Sequence, residues 1–308
     1  MAKEIKLKPG QPEDEQNQVV ESNEQLLDSI ISAADESLIP WEECSLPSGG
    51  FYYGWPDGTC KVRPMTQAAE KILANKRLAQ SGQSVDYLFK ECCQFPDNFE
   101  PSELLVGDRT FLLFYIRGIT HGNMYEFAAT CPSCDSASTY SYDLNELIST
   151  VIPANPELGE EPFKLTLPYI SEKMQKDIWV ELRFLRAYDI NNIIQQRRMR
   201  KKMFSVARSK RKRLSAEQTP VSEPSDDITD NIEKIVVSVL GVRDSSKIKT
   251  FVDKLHARDS ATIREWLKDN TPGIDSAIEV VCPSCDEDFS IDLPITDSFF
   301  RPAKRRRA

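Results

Sequence analysis

Cys131-Pro132-Ser133-Cys134 returns as Cys282-Pro283-Ser284-Cys285, and this repeated CPSC decides how the 308-residue chain is read. A two-residue spacer lets two thiolates converge from one tight turn, which the proline helps to fix. Zinc takes four ligands in a tetrahedron with each sulfur at about 2.3 Å, so each copy supplies half a site. The flanks repeat too. A strand-like run ending in MYEFAAT enters the first copy and STYSYDL leaves it, while AIEVV enters the second and DFSIDL leaves it. Asp143-Leu144 and Asp292-Leu293 close the two copies. The pattern is strand, knuckle and strand, written twice. It predicts that Cys131, Cys134, Cys282 and Cys285 meet around one zinc ion in a four-cysteine ribbon whose halves are separated by a long insertion. One C-x-x-C alone also fits a thiol redox pair; two with matching flanks favour metal. Four thiolates leave no open coordination position, so the zinc is expected to be structural.

Composition agrees with a folded protein that keeps its thiols reduced. The apolar fraction of 40% supports a core, and no run approaches the roughly 18 apolar residues of a membrane span. The first residues, MAKEIKLKPGQPEDEQNQ, lack the apolar stretch of a signal peptide. In a reducing compartment, cysteine pairs point to metal ligation before disulfides. Cys44 and Cys60, and the adjacent Cys92 and Cys93, read as buried free thiols, with only one of Cys92 and Cys93 able to face the core from a helix. His121 and His256 have no ligand-spaced partner and read as solvated or locally hydrogen-bonded.

Working outward from the knuckles, the chain divides into five parts. Residues 1–37 form an acidic, largely disordered arm ending in a short helix that carries Leu26, Leu27, Ile30 and Ile31. Residues 38–144 form an N-terminal α+β region with the first knuckle. Its LPSGGFYYGWPDGTCKVRPM segment reads as a looped hairpin. Thr66 reads as the N-cap of a helix through TQAAEKILANKRLA, and SVDYLFKECCQF is a second helix with Val85, Leu88, Phe89 and Cys92 on one face. Residues 145–278 form a mostly helical insertion, with a flexible Pro/Ser/acid-rich loop at about 214–227. In it WVELRFLRA is a strand, a long basic helix starts near Asp189, and DNIEKIVVSVL, SSKIKTFVDKLH and SATIREWLKD are helices. Residues 279–300 bring the second knuckle and closing strand, and 301–308 are a basic tail. The expected fold class is thus α+β: a small β-sheet zinc ribbon split by a mostly helical insertion, with N-terminal helices.

Charge leaves two functional readings. The net charge of −9 argues against a surface built wholly for nucleic acid, yet Arg197 to Arg213 holds ten basic residues. These could neutralise phosphates, or meet an acidic protein surface. Phe204 is the lone aromatic among them, and the scarcity of stacking residues favours the protein contact. The alternative to a structural role is therefore a zinc-ribbon nucleic-acid-binding protein using the basic helix 197–213. Catalytic patterns are absent: the chain has no GxxxxGK[ST], GxGxxG, HExxH or GxSxG, and its two histidines are isolated. No enzymatic activity is expected.

Taken together, LPSGGFYY, VRPMTQAAEKIL, GDRTFLLFYIRGITHGNMYEF running into CPSC, HARDSATIREWLKDNTPGID and CPSCDEDFSIDLPITDSFFRP resemble the baseplate hub proteins of T4-like contractile-tailed bacteriophages, over roughly residues 40–300. The resemblance implies a non-enzymatic virion or hub-assembly protein whose partners are other baseplate and tail proteins, with no membrane span. It implies residence in the virion tail, with host cytoplasm as the place of assembly, and leaves room for a homo-oligomer within the baseplate. It also implies that the paired knuckles are the family's metal-binding ribbon, carried onto Cys131, Cys134, Cys282 and Cys285. The acidic arm, the basic run at Arg208–Arg213 and the tail AKRRRA depart from the pattern.

Overall fold

The computed structural model describes residues 23–30, 39–55, 57–211, 227–295 and 297–300. The chain forms two units, 1–42 and 43–308. In the first, residues 23–30 make helix α1, which leaves Leu26, Leu27 and Ile30 exposed. Most of the expected arm, the loop at 214–226 and the tail 301–308 lie outside the described residues.

The second unit begins with a three-stranded sheet in the order β1 (Glu42–Ser45), β2 (Thr59–Val62), β3 (Cys93–Gln94). The glycine-rich connection between β1 and β2 folds back on itself. A Cβ at Gly58, where φ is +60°, would stand 2.3 Å from the Gly49 carbonyl oxygen, so only glycine fits there. Helix α2 (Gln67–Leu73) opens on Thr66, whose hydroxyl accepts the Ala69 N–H. The expected helix does not continue through TQAAEKILANKRLA. Asn75 starts a new one, α3 (Lys76–Ser81), by accepting the Arg77 and Leu78 N–H groups with its carboxamide. Helix α4 (Ser84–Cys92) buries Leu88, Phe89 and Cys92. Cys93 is buried as well, contrary to the helical expectation, because the helix ends at Cys92 and the next residue turns inward as the first of β3.

Helix α5 (Val106–His121) is the axis of the main core. Its Phe111, Leu112, Phe114 and Ile116 pack with Trp55, Val62, Leu88, Phe89 and Leu104, and with Tyr125, Phe127, Leu144, Ile278, Leu293 and Phe299 from the knuckle regions. Each such side chain contributes about 1.5–3 kcal/mol on burial. The α5 N-terminus is tied to the hairpin loop by a chain of hydrogen bonds. The Leu105 N–H donates to the Tyr53 hydroxyl (2.6 Å), which donates to Asp108 Oδ2 (2.7 Å), while Asp108 Oδ1 accepts the Ser48 N–H (2.9 Å).

Burial lifts the Asp108 carboxyl above the ordinary carboxylate range, despite the opposing hydrogen bonds from Ser48 and Tyr53. The folded state therefore holds this proton more tightly than the unfolded chain does. The group's contribution is full below the unfolded pKa of about 3.9 and is lost as pH rises through the folded value. Denaturant unfolding of wild type and Asp108→Asn across this range is expected to show the wild type losing stability relative to the variant as pH rises. A difference independent of pH would contradict the assignment.

After β4 (Met124–Thr130), β5 (Ala137–Asp143) and α6 (Leu144–Ser149), the chain enters the insertion through β6 (Val151–Ile152). Among the described residues the insertion is largely helical, with strands between the helices. It carries a three-stranded antiparallel sheet, β7 (Phe163–Thr166), β8 (Trp179–Leu182) and β9 (Val236–Val239), in that order. VVSV, expected to continue a helix, is β9, because its β-branched residues pair with β8 through Val180↔Val239 and Leu182↔Val236. The expected strand WVELRFLRA stops at Leu182. Beyond it Arg183 binds Asp189 (2.7 Å) and Arg186 binds Glu161 (2.6 Å), polar ties that replace the ladder.

Helices α7 (Pro168–Met174), α8 (Ala187–Arg211), α9 (Asp227–Ile235), α10 (Ser245–Asp253) and α11 (Ala257–Asn270) complete the insertion. Of these, α7, α9, α10 and α11 cover a second core of Leu167, Val180, Leu182, Ile232, Ile235, Val236, Ile248, Val252 and Ile263. Leu105, Phe163 and Phe184, with Tyr52 and Trp266 against them, join the two cores. The chain leaves through β10 (Gly273–Ile274), which pairs antiparallel with β6 as Gly273↔Ile152 and Ile274↔Val151. Then come β11 (Ala277–Val281), β12 (Asp288–Asp292) and α12 (Asp297–Phe300). The fold is α+β, with small antiparallel sheets and several helices.

Candidate metal centre

The two CPSC turns sit at the tips of two antiparallel hairpins, β4–β5 and β11–β12. Alternation sets their faces: Tyr125, Phe127 and Ala129 point inward, and Met124, Glu126, Ala128 and Thr130 outward. The ladders end on Thr130↔Ala137 and Val281↔Asp288, one residue before each first cysteine. Aromatic contacts orient the hairpins. Tyr140 stacks on Phe127 with ring centroids 5.8 Å apart and meets Phe289 of the other hairpin edge-on at 6.2 Å. The Tyr125 hydroxyl donates to the Pro294 carbonyl (2.7 Å), and its ring meets Phe299 edge-on at 5.0 Å.

The two turns repeat bond for bond. The Cys131 N–H donates to the Ser136 carbonyl (3.0 Å) and the Asp135 N–H to the Cys131 carbonyl (3.0 Å). In the second copy the Cys282 N–H donates to Glu287 and the Asp286 N–H to Cys282, both at 2.9 Å. Asp135 and Asp286 both take φ 55°, the left-handed conformation that aspartate tolerates better than most residues. Backbone N–H groups of Ser133 and Ser284 reach the first sulfur of their own turn at 3.4 and 3.5 Å.

All four Sγ atoms lie within 4.8 Å of one another. Cys131 stands 3.7 Å from Cys285, and Cys134 stands 3.7 Å from Cys282, so the close pairs cross between the turns. Four sulfurs about 2.3 Å from a common centre would stand about 3.8 Å apart. A disulfide needs about 2.05 Å, and all eight cysteines are free. Donor set and spacing therefore fit a tetrahedral metal ion. Cys131 and Cys282 are buried, whereas Cys134 and Cys285 are exposed. The Ser136 hydroxyl, and then the Ser284 N–H, draw the Cys282 thiol down to about 6. At Cys285 the backbone of Glu287 acts in the same direction, but hydrogen bonding to Cys134 and burial outweigh it and raise the thiol to about 12. The cluster thus favours thiolate at Cys282, the form that binds a metal.

No other predicted group forms a comparable site among the described residues. Cys44, Cys60, Cys92 and Cys93 are buried in the core, and burial pushes the Cys92 thiol up to about 12. His121 ends α5 with Nε2 2.9 Å from the Phe300 carbonyl. His256 lies at the N-cap of α11 instead of within it, accepts the Arg258 N–H, and stacks on Tyr169 at 3.6 Å. It lines a groove of about 670 Å³ with Phe251, Lys254 and Asp259, but the Asp259 carboxylate already accepts the Tyr169 and Ile170 N–H groups. In the basic helix, side chains from Arg200 onward lie outside the described residues. Sequence reasoning missed Ser136, whose hydroxyl touches sulfurs of both turns. The signal was there: Ser136 and Glu287 occupy equivalent places in otherwise matching turns.

Two hairpins thus bring a metal-competent cysteine cluster together in an α+β fold with two main cores. Residues 40–301 match the family model described as T4 bacteriophage base plate protein. The chain belongs to this family of phage base plate proteins. No curated protein and no solved structure matches it. No described helix is long and apolar enough to cross a membrane.

Proposed function

We propose that the chain is a non-enzymatic component or assembly factor of the baseplate hub, acting through contacts with other tail proteins. A structural zinc ion held by Cys131, Cys134, Cys282 and Cys285 joins its two hairpins. The observation that carries this reading is the convergence of four thiols, two from each end of the insertion, in a chain of the base plate family. Four thiolates fill zinc's coordination sphere, which favours a structural ion over a catalytic one. Bound zinc supplies a cross-link between the hairpins that the short ladders lack.

The experiment is recovery of tagged chain from infected cells, with mass spectrometry of what accompanies it. Other baseplate and tail proteins are the expected companions. Recovery with nucleic acid alone, in a complex whose affinity falls steeply with salt, would overturn the hub reading in favour of phosphate binding by the basic helix.

A further inference from the structure

The two knuckles match in sequence and backbone bonding up to the position after the αL aspartate. There the first has Ser136 and the second Glu287. Ser136 Oγ lies 3.2 Å from Cys134 Sγ in its own turn and 3.4 Å from Cys282 Sγ in the other. Among the described residues, no side-chain hydroxyl from the second turn is placed to do the same. We propose that Ser136 is a positioning residue that clasps the two turns around the metal.

This inference rests on the zinc reading and deepens it. Four thiolates around a divalent ion leave a net charge of −2. A hydroxyl donor reduces the charge on the sulfur it reaches, and a partner outside the ligand set orients that ligand. One hydroxyl has one proton, so Ser136 serves Cys134 or Cys282 at any instant. Either way it links neighbouring ligands from different turns.

The test uses the full chain loaded with zinc, and separately with cobalt(II), in wild type, Ser136→Ala, Ser136→Thr and the exposed-strand control Ser141→Ala. Zinc transfer to a chromogenic chelator is expected to be roughly 10-fold more favourable from Ser136→Ala. It should match wild type in Ser136→Thr and Ser141→Ala. The sulfur-to-cobalt charge-transfer band is expected to shift in Ser136→Ala and return in Ser136→Thr, which a mere packing role would not produce. Wild type that binds zinc, with Ser136→Ala identical to it in transfer and spectrum, overturns the role of Ser136 and leaves the metal site standing. Wild type that binds no zinc overturns the metal reading and this inference with it.

Discussion

Cys282→Ser is expected to be purified without zinc where wild type carries about one ion per chain, and to melt well below it. Cys282 is buried, stands 3.7 Å from Cys134, and is drawn toward thiolate by the Ser136 hydroxyl. Losing it leaves three ligands split between two turns that have no other covalent tie. Structural zinc contributes about 10–16 kcal/mol in small finger peptides. Here Tyr140, Phe289 and Tyr125 hold part of the arrangement without metal, so a smaller share rests on the ion. Even about 4 kcal/mol would lower Tm by roughly 8–16 °C at about 2–4 °C per kcal/mol for a chain of this size. Metal analysis, thermal melting and limited proteolysis read the effect together. Cleavage should rise in the two hairpins while the insertion core around Leu182 and Ile263 stays protected. A variant with full zinc content or unchanged melting would remove the basis for a structural metal.

The second large effect is expected far from the cysteines. A Cβ at Gly107, in the first turn of α5, would lie 1.8 Å from the Pro272 carbonyl oxygen and 2.8 Å from Gly273 Cα. These are main-chain atoms on both sides, with no flexible end to swing aside. Gly107→Ala is therefore expected to cost about 3 kcal/mol or more, at the upper end of overpacking changes, with loss of the β6–β10 pairing that Gly273 joins. Gly118 in the same helix is the control. Its added Cβ would meet the tip of the Asn123 side chain at 2.6 Å, a group that can move, and alanine gains about 1 kcal/mol of helix propensity over glycine. Gly118→Ala is expected to stay within about 1 kcal/mol of wild type in urea unfolding. Equal effects of the two substitutions would show that the Gly107 contact is not close-packed.

What could be read from the residues was what repeats or alternates. Thr66 announced its helix, the hairpin strands alternated, and the duplicated C-x-x-C turns predicted a convergence of sulfurs that the fold brings about. The zinc itself remains a proposal. Misreadings arose where tertiary pairing outranked local preference. VVSV satisfies a helical pattern as readily as a strand, and its pairing with β8 decided the outcome. Asn75 split an apparently continuous helix through one side-chain cap, a short-range competition that composition does not rank. Cys92 and Cys93 both became buried because a helix end changes side-chain direction between neighbours. The Ser48–Asp108–Tyr53–Leu105 chain was beyond reach because its members are far apart in sequence and bear no motif.

The pairing of Ile152 with Gly273 puts the exit and re-entry of the intervening 120 or so residues side by side, since partners in an antiparallel ladder stand about 5 Å apart. The segment is also held to the frame along its flank, where Asn191 donates to Asp86 (2.7 Å) and the Val106 N–H to the Leu185 carbonyl (3.0 Å). Its far side can be enlarged, trimmed or exchanged over generations without altering the span that the surrounding frame must bridge.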